Sequence, residues 1–201
     1  MSRDGDVDQS KRATLRRFAA LGAATPLVSL ASASESDAPD ALLGYLTTTP
    51  GAHFSKIRDD LQLGTGETQH HLKRLEGDGA VESRKDDDYR RYFPADRFSE
   101  FEQVTLGYLR RETPRGLLIA LLDGVDPSTR SLARHLEVSR PTVSRTASRL
   151  AEAGLLSRTD GYAVRNPETV LFLLVRYAES FGEDAAAFAE RAPTLVSYTP
   201  D

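Results

Sequence analysis

The sequence predicts a mainly α fold with small β hairpins, built from one supersecondary unit used twice. Three observations predict it. Apolar positions repeat at a constant offset of 75 residues, each copy shows three short helical patterns in succession, and each copy closes on a glycine followed by a hairpin cue. With 201 residues, 39% of them hydrophobic and 28% charged, the chain has material for two small domains with real cores. That composition excludes a chain disordered throughout and a membrane bundle. Cysteine is absent, which excludes disulfide frameworks, Cys-bearing zinc sites and thiol nucleophiles.

The repeat is ungapped. Leu42, Leu43 and Leu46 fall over Leu117, Leu118 and Leu121, Ile57, Leu61 and Leu63 over Leu132, Leu136 and Val138, and Leu75, Gly79 and Val81 over Leu150, Gly154 and Leu156. The leucines at i, i+1 and i+4 give each copy a first helix with one apolar side. In the second copy Thr113-Pro114 offers a cap and a first-turn proline. A short second helix follows, over 53–61 and 128–136, and then a turn of three or four residues. The third helix runs over 65–77 in the first copy and 140–153 in the second, where Ser139 is a good N-cap and Pro141 suits the first turn. Helix, tight turn, helix of this size is the helix-turn-helix pattern, whose second member enters the major groove.

Each third helix leads to a glycine and an apolar pair, Gly79-Ala80-Val81 and Gly154-Leu155-Leu156. In the second copy Asp160-Gly161 separates two short alternating runs, a strong hairpin signal. In the first, Val81 to Lys85 and Tyr89 to Phe93 flank the acidic tip Asp86-Asp87-Asp88. Each copy therefore ends in a wing.

The domain plan that follows is a leader over 1–38, a winged helix-turn-helix over 39–95, a bridging helix over 96–113, a second winged helix-turn-helix over 114–166, a C-terminal helix over 167–192 and a tail over 193–201. Phe98, Phe101, Leu106 and Leu109 are the expected buried side of the bridging helix.

Gly51 to Ile57 with Thr68-Gln69-His70-His71-Leu72-Lys73-Arg74-Leu75-Glu76 resembles archaeal winged helix-turn-helix regulators. Val138 to Arg145 with Arg149 to Leu155 resembles the broad MarR/ArsR-like pattern. The resemblance covers a little over half the chain. It implies a DNA-binding transcriptional regulator, with double-stranded DNA as the partner and no cofactor or enzymatic activity.

Charge distribution agrees with that expectation in one place. The chain carries 26 basic and 30 acidic residues, yet residues 114–166 alone are net basic, with eight arginines against five acids. Arginine prefers planar, bidentate partners such as phosphates and base edges. Lysine appears four times against 22 arginines, a bias that codon usage in a GC-rich genome also produces.

On the second copy's third helix, Val143, Ala147 and Leu150 are spaced to face the core. The opposite face presents Arg140, Thr142, Ser144, Arg145, Ser148 and Arg149, beside the cap residue Ser139 and with Arg158 following in the wing. Arginine can bind guanine bidentately or grip phosphate, and hydroxyls can do either more weakly. Arg145 is the expected base reader and Arg149 the expected phosphate contact. The first copy offers Gln69, His70 and Lys73 on its third helix and Arg84, Lys85, Arg90 and Arg91 in its wing. Its Glu67 and its acidic wing tip fit a polyanion poorly, so the first copy is the weaker reader or is retained for packing or a protein partner.

Of the four histidines, His53, His70, His71 and His135, none has metal-ligand spacing to another. His71 falls on the inner face in the family pattern, as a hydrogen-bonded core histidine. No phosphate loop, nucleophile elbow or carboxylate pair is present.

The C-terminal stripe Val170, Leu171, Leu174, Tyr177, Ala178 and Phe181 reads as one apolar face. It packs onto the second domain, or it forms a homodimer interface through Val170, Leu171, Leu174, Tyr177 and Phe181. At the other end, Arg16-Arg17-Phe18 and the apolar run to Leu30, followed by Ala31-Ser32-Ala33, resemble a twin-arginine secretion signal. That run is too short to span a bilayer. A regulator acting in the cytoplasm expects residues 1–38 to be unfolded, without a packing partner. Two rival classes remain: an exported or envelope-associated winged-helix module that binds another protein, and a metal-responsive sensor. The residues leave open the operator, the regulated genes and any small-molecule effector.

Overall fold

A computed structural model describes residues 13–15, 17–18, 37–87, 89–159 and 161–192, and the chain divides into two units between Ser99 and Glu100. Both are mainly helical with small antiparallel sheets. Most of the expected leader, including Arg16 and the apolar run from Ala19 to Leu30, lies outside the described residues, as do Asp88, Asp160 and the tail.

In the first unit, α1 (Asp37–Thr48) buries Ala41, Leu42, Tyr45 and Leu46. The chain turns at Gly51 and forms β1 (Ala52–His53) and α2 (Phe54–Asp60). The Nδ1 atom of His53 caps α2 by accepting the Lys56 amide at 3.2 Å. After a tight turn comes α3 (Thr65–Gly77), which buries Thr68, Leu72 and Leu75. Then β2 (Val81–Asp86) and β3 (Tyr89–Pro94) form the wing, and β1 joins it in the order β1-β3-β2. The core gathers Leu42, Leu46, Ile57, Leu61, Leu72 and Val81.

Leu15 belongs to this core, 8% exposed, and the Phe18 ring stands edge-on to Tyr45 with centroids 5.3 Å apart. The expected leader therefore has a packing partner at these two positions. Tyr45 offers an aromatic face to the ring, and burying both side chains removes apolar surface from water.

The second unit opens with α4 (Glu100–Leu109), whose Leu106 and Leu109 are fully buried. The expected bridging helix is thus shorter than 96–113 and is the first element of the second unit, packed against elements on its C-terminal side. Phe98 lies before it, in the first unit, with its ring 6.0 Å from that of Phe93. Next come α5 (Glu112–Leu122), α6 (Thr129–His135) and α7 (Arg140–Glu152). Arg111, not Thr113, stands at the N-cap of α5. The wing is reduced to β4 (Leu156–Ser157) and β5 (Ala163–Val164).

The 75-residue offset holds to the residue. The bounds of α2 and α3 map onto those of α6 and α7, the cap His53 onto Ser128, and the left-handed Gln62 (φ 55°) onto Glu137 (φ 55°). Gly79 and Gly154, both at positive φ, end the third helices alike. The second wing differs in having two strands where the first has three, and Pro127 occupies the position of Ala52 in β1.

The expected last helix is broken into α8 (Pro167–Arg176), α9 (Ala178–Phe181) and α10 (Glu183–Arg191). Gly182, at φ 138°, sits between the last two in a conformation that side chains strain to adopt. Two residues of the expected homodimer stripe are not available to a second copy. Val170 and Leu174 are fully buried within their own unit, where α8 packs on α4 and α10. Phe181 lies under the Arg110 guanidinium, 4.6 Å from its centroid, while the other nitrogens of Arg110 bond Ser180. Arg115 is buried and donates to both Asp184 carboxylate oxygens, at 3.0 and 2.8 Å, and to the Leu109 carbonyl at 3.0 Å. These contacts fold the C-terminal segments back on their own domain and take up Val170 and Leu174, while Leu171, Tyr177 and Phe181 of the expected stripe stay half-buried.

Candidate nucleic-acid interface

The helix α7 is built to show one face. Ser139 Oγ accepts the Thr142 amide at 3.2 Å and caps the first turn, and Pro141 sets its backbone. Val143, Ala147 and Leu150 are fully buried, as their spacing predicts. Ser139, Arg140, Ser144, Arg145 and Arg149 are exposed on the other side, with Thr142 and Ser148 half-buried. Among the described residues, no carboxylate pairs with Arg140, Arg145 or Arg149. Their charge is available to an outside anion. Arg158, just past β4 in the loop of the wing, donates from Nη1 to Ser148 Oγ at 2.9 Å and ties wing to helix.

Two cations join this face that the sequence reading passed over. Arg130 and Arg134 on α6 line an open depression of about 340 Å³ together with Ala133, Val138 and Arg140. Their i, i+4 spacing on a short helix is the signal that could have found them. At the equivalent positions the first unit has Ser55, Asp59 and Thr65.

The first unit presents a different surface. Gln69, His70 and Lys73 are exposed on α3 as expected, but Glu67 is part of the helix start, its Oε2 accepting the Gly64 amide at 3.1 Å. A carboxylate thus stands where α7 has Thr142, at the end of the helix that would otherwise attract phosphate. In the wing, Lys85 and Arg90 are exposed and Arg84 is half-buried. Arg90 donates from Nη1 to Ser83 Oγ at 3.4 Å and stands 3.8 Å from Glu76.

Arg91 is a correction. It is 3% exposed, its Nε bonds Asp86, and its Nη1 donates to the Gly51 carbonyl at 3.0 Å. Next to Phe93 and Tyr92 in the strand, it braces the wing and cannot contact DNA. The same pair ties up Asp86, so the acidic tip is partly neutralised from within.

His71 is half-buried, and its Nδ1 is fully enclosed without a hydrogen-bond partner, unlike the hydrogen-bonded histidine expected there. Burial, and after it the neighbouring His70, holds its pKa below the ordinary value. Among the described residues, no three His, Asp or Glu side chains converge as a metal site would need, and no helix is long and apolar enough to cross a membrane.

Comparison with known proteins also gives two successive domains, divided within α4. Residues 36–106 match the family model of an N-terminal HTH domain, and residues 107–170 match that of a Crp-like helix-turn-helix domain. Over 121 residues the chain is 26% identical to an uncharacterized HTH-type transcriptional regulator of Methanocaldococcus jannaschii. That match takes in 60% of this chain and 30% of the relative, so the chain spans less than a third of the length of the curated protein it resembles. Repeat, geometry and family models agree: the chain carries two helix-turn-helix domains in tandem.

Proposed function

We propose that the chain is a transcriptional regulator of the cytoplasm that binds promoter DNA as a homodimer, with the second domain as its main reading head. The observation that carries this is the exposed face of α7, where Arg140, Arg145 and Arg149 stand on a capped helix without carboxylate partners among the described residues. Such a helix can lie in the major groove with its arginines divided between guanine edges and phosphates. Arg130 and Arg134, on the helix before it, are placed to hold the backbone while α7 reads. The first domain, with Glu67 at its helix start and Asp59 in place of Arg134, plays the lesser part on DNA. The regulator named in Methanocaldococcus jannaschii supports the same reading.

The test is selection of duplexes from a random pool by the full chain. A recurrent short motif is expected, and its enrichment should vanish when Arg140, Arg145 and Arg149 are all changed to Ala. A pool that stays random, or a triple variant that enriches the same motif, overturns the proposal.

A further inference from the structure

The outer side of α8 carries charge in an order that matches its own inverse. Glu168, Phe172 and Arg176 follow one another at four-residue intervals on that helix, and all three are exposed. Phe172 is 56% exposed and Val175 beside it 41%, two large apolar side chains in water on one short helix. The inner side of α8 is already spent, with Val170, Leu173 and Leu174 fully buried against its own domain. Arg176 lies with its guanidinium 5.8 Å from the Phe172 centroid, which covers part of the ring and leaves the rest open.

A stripe ordered negative, apolar, positive at equal spacing has a partner that fits it along its whole length: the same stripe run antiparallel. A two-fold axis through Phe172 sets this ring against the same ring of a second copy. Positions 168 and 176 are equidistant from 172, about 6 Å to either side at 1.5 Å of rise per residue. Glu168 of each copy then meets Arg176 of the other, and both pairs form at once, as an isologous interface requires. Parallel pairing would instead oppose like charges at both ends.

We infer that this outer face of α8 is a self-association surface whose occupant is a second copy of the chain. It deepens the homodimer part of the proposed function and moves the contact from the buried stripe to the exposed one. It does not depend on whether α7 reads DNA.

Sedimentation equilibrium of the full chain, at low salt and without DNA, tests it by charge exchange. The natural chain should dimerise at micromolar concentration. E168R and R176E should each weaken the dimer by about tenfold or more, because each sets like charges face to face. The double variant E168R/R176E restores an inverted but still self-matching order, and should return to within about threefold of the natural constant. F172D should be monomeric. All four variants change exposed side chains; the reversals also set charge against the α8 dipole, so a small drop in melting temperature is expected of them, and a single cooperative melt of each confirms that the fold is intact. A monomer at all concentrations, single reversals that dimerise as well as the natural chain, or a double variant that stays monomeric would overturn the inference. Gel shift on a duplex bearing one copy of the selected motif separates the two claims. If the exchange pattern holds but no duplex is bound, the regulator reading fails and the interface stands.

Discussion

Placing the first domain's residues on the second measures how much of DNA affinity comes from the arginine-lined depression. The variant is Arg130→Ser with Arg134→Asp and Arg140→Thr, the residue types found 75 positions earlier. All three arginines are exposed, so the fold should lose little, within about 0.5 kcal/mol per site. On B-DNA each phosphate contact steepens the fall of log K with log salt by about 0.9, so losing three flattens the slope by about 2.7. Between 50 and 200 mM salt, a fourfold rise, one contact is worth about 3.5-fold and three about 40-fold. The natural chain should therefore lose about 40 times more affinity over that interval than the variant does. Fluorescence anisotropy of a labelled duplex at several salt concentrations reads the slope directly. A change of less than about one unit would mean that the depression does not sit on the backbone, and that the three arginines serve solubility or another partner.

Three further outcomes are expected. Arg145→Ala should cost about 1–3 kcal/mol on the selected motif and relax one base position, Arg149→Ala should flatten the salt slope by about one unit, and Lys73→Ala should do less than either. Gel shifts that rank Lys73→Ala as the most damaging would reverse the order of the two heads. Arg91→Ala breaks a buried ion pair and strips the Gly51 carbonyl of its donor, so urea unfolding should show a loss of about 3 kcal/mol, and a loss below about 1 kcal/mol would contradict its bracing role. His71 has its folded pKa below the ordinary 6.5, so the unfolded chain binds its proton more readily. Its share of stability is complete above about pH 6.5 and fades as pH falls from there through the folded value, and His71→Leu should remove that part of the pH dependence of melting; an identical slope in both proteins would refute it.

The short-range part of this protein is written in the sequence. Caps, helix periods and the positive-φ glycines act within four or five residues, and these gave the repeat, the limits of α3 and α7 and the burial of Val143, Ala147 and Leu150. The exposed arginines of α7 were legible for the same reason, since a helix face follows from spacing alone. Arg91 was not. Adjacent to Arg90 and identical to it in type, it is drawn inward by Asp86 across the hairpin and by a carbonyl forty residues away, and the second of these no local pattern can place.

The same limit governs the two ends of the described chain. The stripe of Val170 and Leu174 announced an amphipathic helix, but periodicity cannot say whether its apolar side meets its own domain or a second copy. Arg110, Arg115 and Gly182 decide it by folding the last segments back, through contacts about seventy residues apart. Leu15 and Phe18 were read as part of a free leader, but Leu15 joins the first core and Phe18 finds Tyr45 in a helix that begins some twenty residues later. Which surfaces exist is a local property of the chain. Which surfaces meet depends on the balance of burial and pairing over the whole fold, and that balance only the tertiary structure settles.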